Sequence, residues 1–167
     1  MMNLNRASAM KAELLQNILQ NEEIMRLVMD TPNVKLPCKE ARYTQVFPWK
    51  KAIGTQEEAR TLICFEVSMS APLNNATRMY TLTVWVMTHE SLMPLDDAVG
   101  KRLNITDRGT RVDVLADKID YLINGSTEFG FERLEIQGSA PFNAGNSFVG
   151  RSLHYSVPGW NRYGEKV

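Results

Sequence analysis

Two stretches of strict alternation constrain this chain more than anything else in it. TLICFEVSM (61–69) places Ile63, Phe65, Val67 and Met69 on one side and Cys64, Glu66 and Ser68 on the other. YTLTVWVMT (80–88) repeats the pattern, with Tyr80, Leu82, Val84 and Val86 opposed to Thr81, Thr83, Trp85 and Met87. A two-residue period is that of a strand with one buried face. APLNNATR (71–78), with its proline and paired asparagines, suits the loop of a hairpin, so the two strands are predicted to pair antiparallel. A pair of strands cannot bury its own apolar face, and the cover must come from elsewhere in the chain.

Two segments of helical period supply it. Thr110 caps a predicted helix whose third residue is Asp113, and Val112, Leu115, Ala116, Ile119, Leu122 and Ile123 then trace one apolar stripe. Asp113, Asp117, Lys118 and Asp120 face water, and Asn124-Gly125 ends the helix. Near the N-terminus, from about Ser8 to Met29, Met10, Leu14, Ile18 and Met25 recur at three- and four-residue spacing, with Leu15 and Leu19 beside them. Asn21 followed by Glu22 and Glu23 reads as a fresh cap, so this is either one broken helix or two in succession. Asp30-Thr31-Pro32 stops it.

The rest is less regular. Residues 33–58, punctuated by Pro37 and Pro48, show one short strand at most, around Thr44–Phe47. His89 to Gly109 reads as a long polar loop without period. A second hairpin follows: FERLEIQ (131–137) with Leu134 and Ile136 inward, GSAPFNAGNS (138–147) as its loop, and FVGRSLHYSV (148–157). In that last strand Val149, Leu153, Tyr155 and Val157 oppose Ser152, His154 and Ser156. The order helix, hairpin, helix, hairpin predicts an α+β fold, an antiparallel or mixed sheet flanked by an N-terminal helix and a central amphipathic helix at about 110–124. At 167 residues one domain is expected, with 1–30 a helical region, 60–157 the sheet-plus-helix core and 158–167 a tail.

Composition narrows the function. Apolar residues make up 44% and charged residues 23%, ordinary globular values. Lys plus Arg and Asp plus Glu both number 19, so the net charge is zero and there is no overall attraction to nucleic acid or an anionic membrane. No apolar run reaches the roughly 18 residues of a membrane helix. MMNLNRASAMKAELLQ lacks the apolar core of a signal peptide, which makes a reducing cytoplasm the default setting. Cys38 and Cys64 are then expected as free thiols, Cys64 as a buried small hydrophobe. The triplets at Asn75, Asn104 and Asn124 mark turns rather than sugar sites.

No set of reactive residues converges in the sequence. His89 and His154 lie far apart without a second ligand at metal spacing. GNSFVGRS (145–152) resembles a phosphate-binding loop with Arg151 for lysine, but a strand follows it where the chemistry requires a helix N-terminus. Ser152 and His154 sit two apart on one strand, side by side rather than at attack geometry. Asp96 and Asp97 fall in the long loop. Asp113, Asp117 and Asp120 form either a solvated helix face or an acidic lining that keeps DNA phosphates from sticking. The basic pairs Lys50–Lys51, beside Trp49, and Lys101–Arg102 read as solvated charges. No catalytic residue, cofactor or metal is expected. What remains is contact surface, with Met79, Met87 and Met93 in or beside loops and Trp160 and Tyr163 in a short tail.

The succession of an amphipathic N-terminal helix, YTLTVWVMTHE, VDVLADKIDYLING, FERLEIQ and GRSLHYSV after a Gly/Asn/Pro-rich loop resembles the tail terminator and tail-completion proteins of the phage head–tail connector. The resemblance covers roughly residues 60–157. It implies a non-enzymatic virion subunit, assembled in the host cytoplasm, that forms a hexameric ring on the head-proximal end of the tail tube. Its implied partners are further copies of itself, the tail tube protein and the neck or head-completion protein, with DNA passing through the lumen without sequence-specific binding and no membrane involved. In such a ring, loop 89–109 and the tail are expected to carry subunit or tube contacts through Met93, Lys101, Arg102, Trp160 and Tyr163. The alternatives are another connector protein, such as a head-completion or stopper protein, or a small non-catalytic binding module.

Overall fold

The computed structural model describes residues 4–55, 57–69, 77–129 and 133–160. The N-terminal region resolves into two helices, α1 (Leu4–Gln20) and α2 (Glu22–Met29). The break falls at Asn21, whose side-chain oxygen accepts the Ile24 N–H at 3.0 Å, while Glu22 and Glu23 face the positive end of α2. Asp30, in the left-handed region at φ 54°, ends α2. Met10, Leu14, Leu15, Ile18 and Leu19 of α1 and Ile24, Met25, Leu27 and Val28 of α2 are all buried.

The sheet has five strands. β1 (Val46–Phe47) runs parallel to β2 (Thr61–Met69), and β2 pairs antiparallel with β3 (Thr77–His89). After a two-stranded ladder of β4 (Pro94–Leu95) and β5 (Gly109–Thr110), which encloses the short helix α3 (Asp97–Leu103), comes α4 (Arg111–Ile123). β6 (Glu135–Ala144) and β7 (Phe148–Trp160) complete the sheet in the order β1-β2-β3-β7-β6. The chain is therefore α+β with a mixed sheet.

One face of that sheet carries the helices. Ile63, Phe65, Leu82, Val84, Val86, Leu153 and Tyr155 meet the buried faces of α1, α2 and α4 in one continuous core. Each leucine or isoleucine removed from water there contributes about 1.5–3 kcal/mol. α4 follows its sequence pattern, with the Thr110 hydroxyl oxygen accepting the Asp113 N–H and donating to the Asp113 carboxylate at 2.6 Å. Val114, outside the expected stripe, is also buried. Asp120, expected in water, is half-buried and accepts the Tyr155 hydroxyl at 2.8 Å. On the opposite face Phe47, Leu62, Cys64, Met87 and Phe148 form a smaller cluster, flanked by Ile53, Trp85 and Phe142. Both cysteines are buried free thiols.

Two expectations are corrected. GSAPFNAGNS is not a loop: β6 runs through it to Ala144, leaving a tight turn with Gly145 at φ 61°. Proline has no N–H to give a ladder and is confined to sheet edges, and β6, which holds Pro141, is an edge strand. Leu134 is buried as expected but precedes β6, exchanging backbone hydrogen bonds with Gly125 and Ser126. Residues 89–109 are not an irregular loop either, but a 3-10 turn (Glu90–Leu92), β4 and α3. Most of the first hairpin's expected loop, residues 71–76, lies outside the described residues.

Candidate functional site

The segment expected to carry contacts is fastened to α2 and α4. Asp96 caps α3 through the Val99 N–H at 2.9 Å, and Asn104, left-handed at φ 55°, ends it. Arg108 folds back across Gly100, donating to the Ile105 carbonyl at 2.6 Å and to Asp97 at 2.8 Å. A Cβ on Gly100 would lie 2.1 Å from that guanidinium, so the side-chain-free residue makes room for the clasp. Lys118 is held between Glu23 and Asp107 at 2.6 and 2.8 Å, joining α4 to α2 and to the chain after α3.

At the centre is Arg111, the first residue of α4 and only 1% exposed. Its guanidinium donates to the Leu92 and Leu27 carbonyls, both at 2.8 Å, and to the Asp30 carboxylate at 2.7 Å. Arg102 reaches the same residue from α3, donating to the Asp30 carbonyl at 3.0 Å and its carboxylate at 2.9 Å. Burial pushes the Asp30 carboxyl up, but hydrogen bonds from Arg102 and Arg111 outweigh it and hold the group below the usual carboxylate range. Asp107, hydrogen-bonded by Lys118, Asp113, hydrogen-bonded by Thr110, and Glu57, hydrogen-bonded by Lys51, are lowered as well.

A carboxylate in the unfolded chain titrates near pH 4, and one lowered by folding contributes stability that is present above that pH. The contribution is lost as pH falls through the folded value. Denaturant unfolding between about pH 5 and pH 2 is expected to show a steep loss of stability, and Asp30→Asn, less stable at neutral pH, a shallower one. Parallel slopes in the two proteins would remove Asp30 from the account.

The expected contact residues therefore separate. Arg102 is committed to Asp30 inside the subunit. Met93 is half-buried, and its carbonyl accepts the Arg111 N–H at 2.8 Å. Lys101 is exposed on α3. Trp160 closes β7 opposite Thr77, its side chain and the whole of Tyr163 lying outside the described residues.

Two features of chemical interest lie apart from this network, the first on the helix-free face of the sheet. His154, expected in water, is half-buried, with Nε2 3.1 Å from the Ser152 hydroxyl and Nδ1 3.3 Å from that of Thr83. The sequence placed serine and histidine merely side by side, and the fold brings them into hydrogen-bond range. The third position is nevertheless a hydroxyl, which cannot balance an imidazolium, and Ser152 also donates to the Ala140 carbonyl at 3.3 Å. The phosphate-loop resemblance fails on context, because Gly145 begins a turn between strands.

The second feature was read in the sequence only as the solvated pair Lys50–Lys51 beside Trp49, whereas Lys51 is half-buried in an ion pair with Glu57 at 2.8 Å. Beside β1, Tyr43 stacks on Trp49 with centroids 5.6 Å apart, and Trp49 meets Phe47 edge-on at 5.4 Å. Arg42 lies 6.0 Å from the Tyr43 ring, Lys50 5.2 Å from Trp85 and Lys51 5.5 Å from Phe47. Tyr43 is 53% and Trp49 43% exposed. The interleaving of R-Y with F-P-W-K-K was the available signal. On α4, Tyr121 stands 93% exposed, one turn beyond the exposed Asp117.

No curated protein matches the sequence. Over 92% of this chain and 97% of the other, the fold is similar, at 13% identity and a TM-score of 0.47, to a chain in the virion of a native gene transfer agent particle. Residues 14–157, which take in both hairpins and all four helices but the first turns of α1, match the model of the YomW family, and the chain belongs to that family.

Proposed function

We propose that this protein is a structural subunit of a phage or phage-tail-like particle, which closes into a hexameric ring at the neck, caps the tail tube and joins tail to head. The supporting observation is the form of the sheet's two edges. On one side β6 has no outer strand among the described residues, although the Asn124 side chain accepts the Ile136 N–H at 3.3 Å near its start. On the other β1 covers only Ile63 and Cys64 of β2, so the far half of β2 has no outer neighbour among the described residues. The subunit therefore presents unlike surfaces at its two ends, and contacts between unlike surfaces run head to tail and close into a ring when the rotation per subunit divides a full turn. The sequence resemblance to tail terminator proteins supports that location, and with it the tube protein, the neck protein and passing DNA as partners.

Negative-stain microscopy of the purified chain, alone and with tail tubes, tests the reading. Closed rings, or discs at one end of each tube, are the expected result. A chain that stays monomeric with tubes present and is missing from purified particles overturns it.

A further inference from the structure

We infer that the ring is held by a heterologous contact between the aromatic–cationic patch beside β1 and the exposed face of α4 in the next copy of the chain. This rests on the reading above. The first patch comprises Arg42, Tyr43, Trp49 and Lys50, and the second Asp117 and Tyr121. Their composition is that of interface centres, where Trp, Tyr and Arg concentrate. Their charges point to a second copy as occupant. Among the described residues Arg42 bonds to the neutral Gln16, Lys50 lies over Trp85, and neither is in an ion pair. Asp117 is likewise absent from every ion pair of the described residues, although Asp113, Lys118 and Asp107 around it are all matched. The unmatched charges on the two patches thus have opposite sign, in a chain whose net charge is zero.

The two patches lie on different parts of the subunit. One is at the β1 end of the sheet, and the other is on the helix that packs over β3 and β7. A contact between unlike patches leaves one of each free after every addition, as ring growth requires. Tyr121 would meet Tyr43 and Trp49, with Asp117 beside Arg42 and Lys50, and added salt would weaken the assembly.

Two variants test this by sedimentation. Trp49→Ser/Lys50→Ser removes the first patch and Asp117→Ser/Tyr121→Ser the second. At a concentration where the wild-type chain forms rings, each variant alone is expected to sediment as a monomer. An equimolar mixture is expected to give a one-to-one dimer and nothing larger, because only one intact pair of patches remains. That dimer would also show that both variants are folded. Variants that still form rings, or a mixture that gives no dimer while each variant melts as the wild type does, overturn the assignment and leave the ring reading standing. A wild-type chain that forms no assembly under any condition removes both.

Discussion

Replacing Arg111 with methionine is expected to destabilise the fold by about 2 to 5 kcal/mol, most of it from two backbone carbonyls left without their charged donor. Methionine matches the length of the arginine stem but donates nothing. The Leu27 and Leu92 carbonyls would each lose a charged donor at 2.8 Å, in surroundings where the guanidinium itself is 1% exposed. A buried polar group left unpaired costs roughly 1–3 kcal/mol. Asp30 would keep Arg102, so its charge is not abandoned. For a chain of this size the loss corresponds to a melting temperature lower by on the order of 10 °C. Arg102→Met is the contrasting variant. The Arg102 side chain is 48% exposed and Asp30 retains Arg111, so the change is expected to cost under about 1 kcal/mol. Thermal melts of the two variants decide the matter. Equal shifts would show that Arg111 acts as a surface charge and that α2, α3 and α4 are not joined through it.

What the sequence made legible, and what it did not, divides along the range of the interactions. The α4 helix was readable because its cap, stripe and stop lie within fifteen residues of one another, and the structure reproduces them at Thr110, Leu115, Ile119 and Gly125. β2 and β3 were readable for the same reason. Arg111 looked like one more polar residue at the start of a helix, since its partners Leu27 and Asp30 lie more than eighty positions away. α3 was missed because seven residues with a central glycine carry no period, although Asp96 before Asp97 is a sound local cap. β6 was missed because Gly138 and Pro141 are turn formers in isolation, and only its place at the sheet edge makes them acceptable. The aromatic–cationic patch was hidden for a related reason. Tyr43, Phe47 and Trp49 have no regular spacing, and β1, which orders them, has two residues and depends on β2 for its hydrogen bonds.

Gly150 carries the second large expectation, and it gives the GNSFVGRS segment a role unrelated to phosphate. In β7, Gly150 stands between Met87 of β3 and Phe142 of β6. A Cβ there would lie 2.4 and 2.6 Å from ring atoms of Phe142 and 2.7 Å from the Val86 carbonyl oxygen. The phenyl ring could swing away, although it is packed against the small cluster formed by Phe47, Leu62, Cys64, Met87 and Phe148. The carbonyl belongs to the β3 backbone and can yield only if the strand shifts. Gly150→Ala is therefore expected to cost on the order of 3 kcal/mol, the upper end of what overpacking a core usually costs. Strand propensity pulls the other way, since alanine orders a strand at less entropic cost than glycine by roughly 0.5–1 kcal/mol. Contact at 2.7 Å with backbone outweighs it. The Phe142→Ala/Gly150→Ala double variant separates the two collisions. It is expected to recover part of the loss by giving the new methyl the space of the ring, while the contact with Val86 persists. Chemical denaturation of the three proteins reads the difference directly. A double variant less stable than Gly150→Ala alone would mean that the ring was never the obstacle, and that the strand had already moved to admit the methyl.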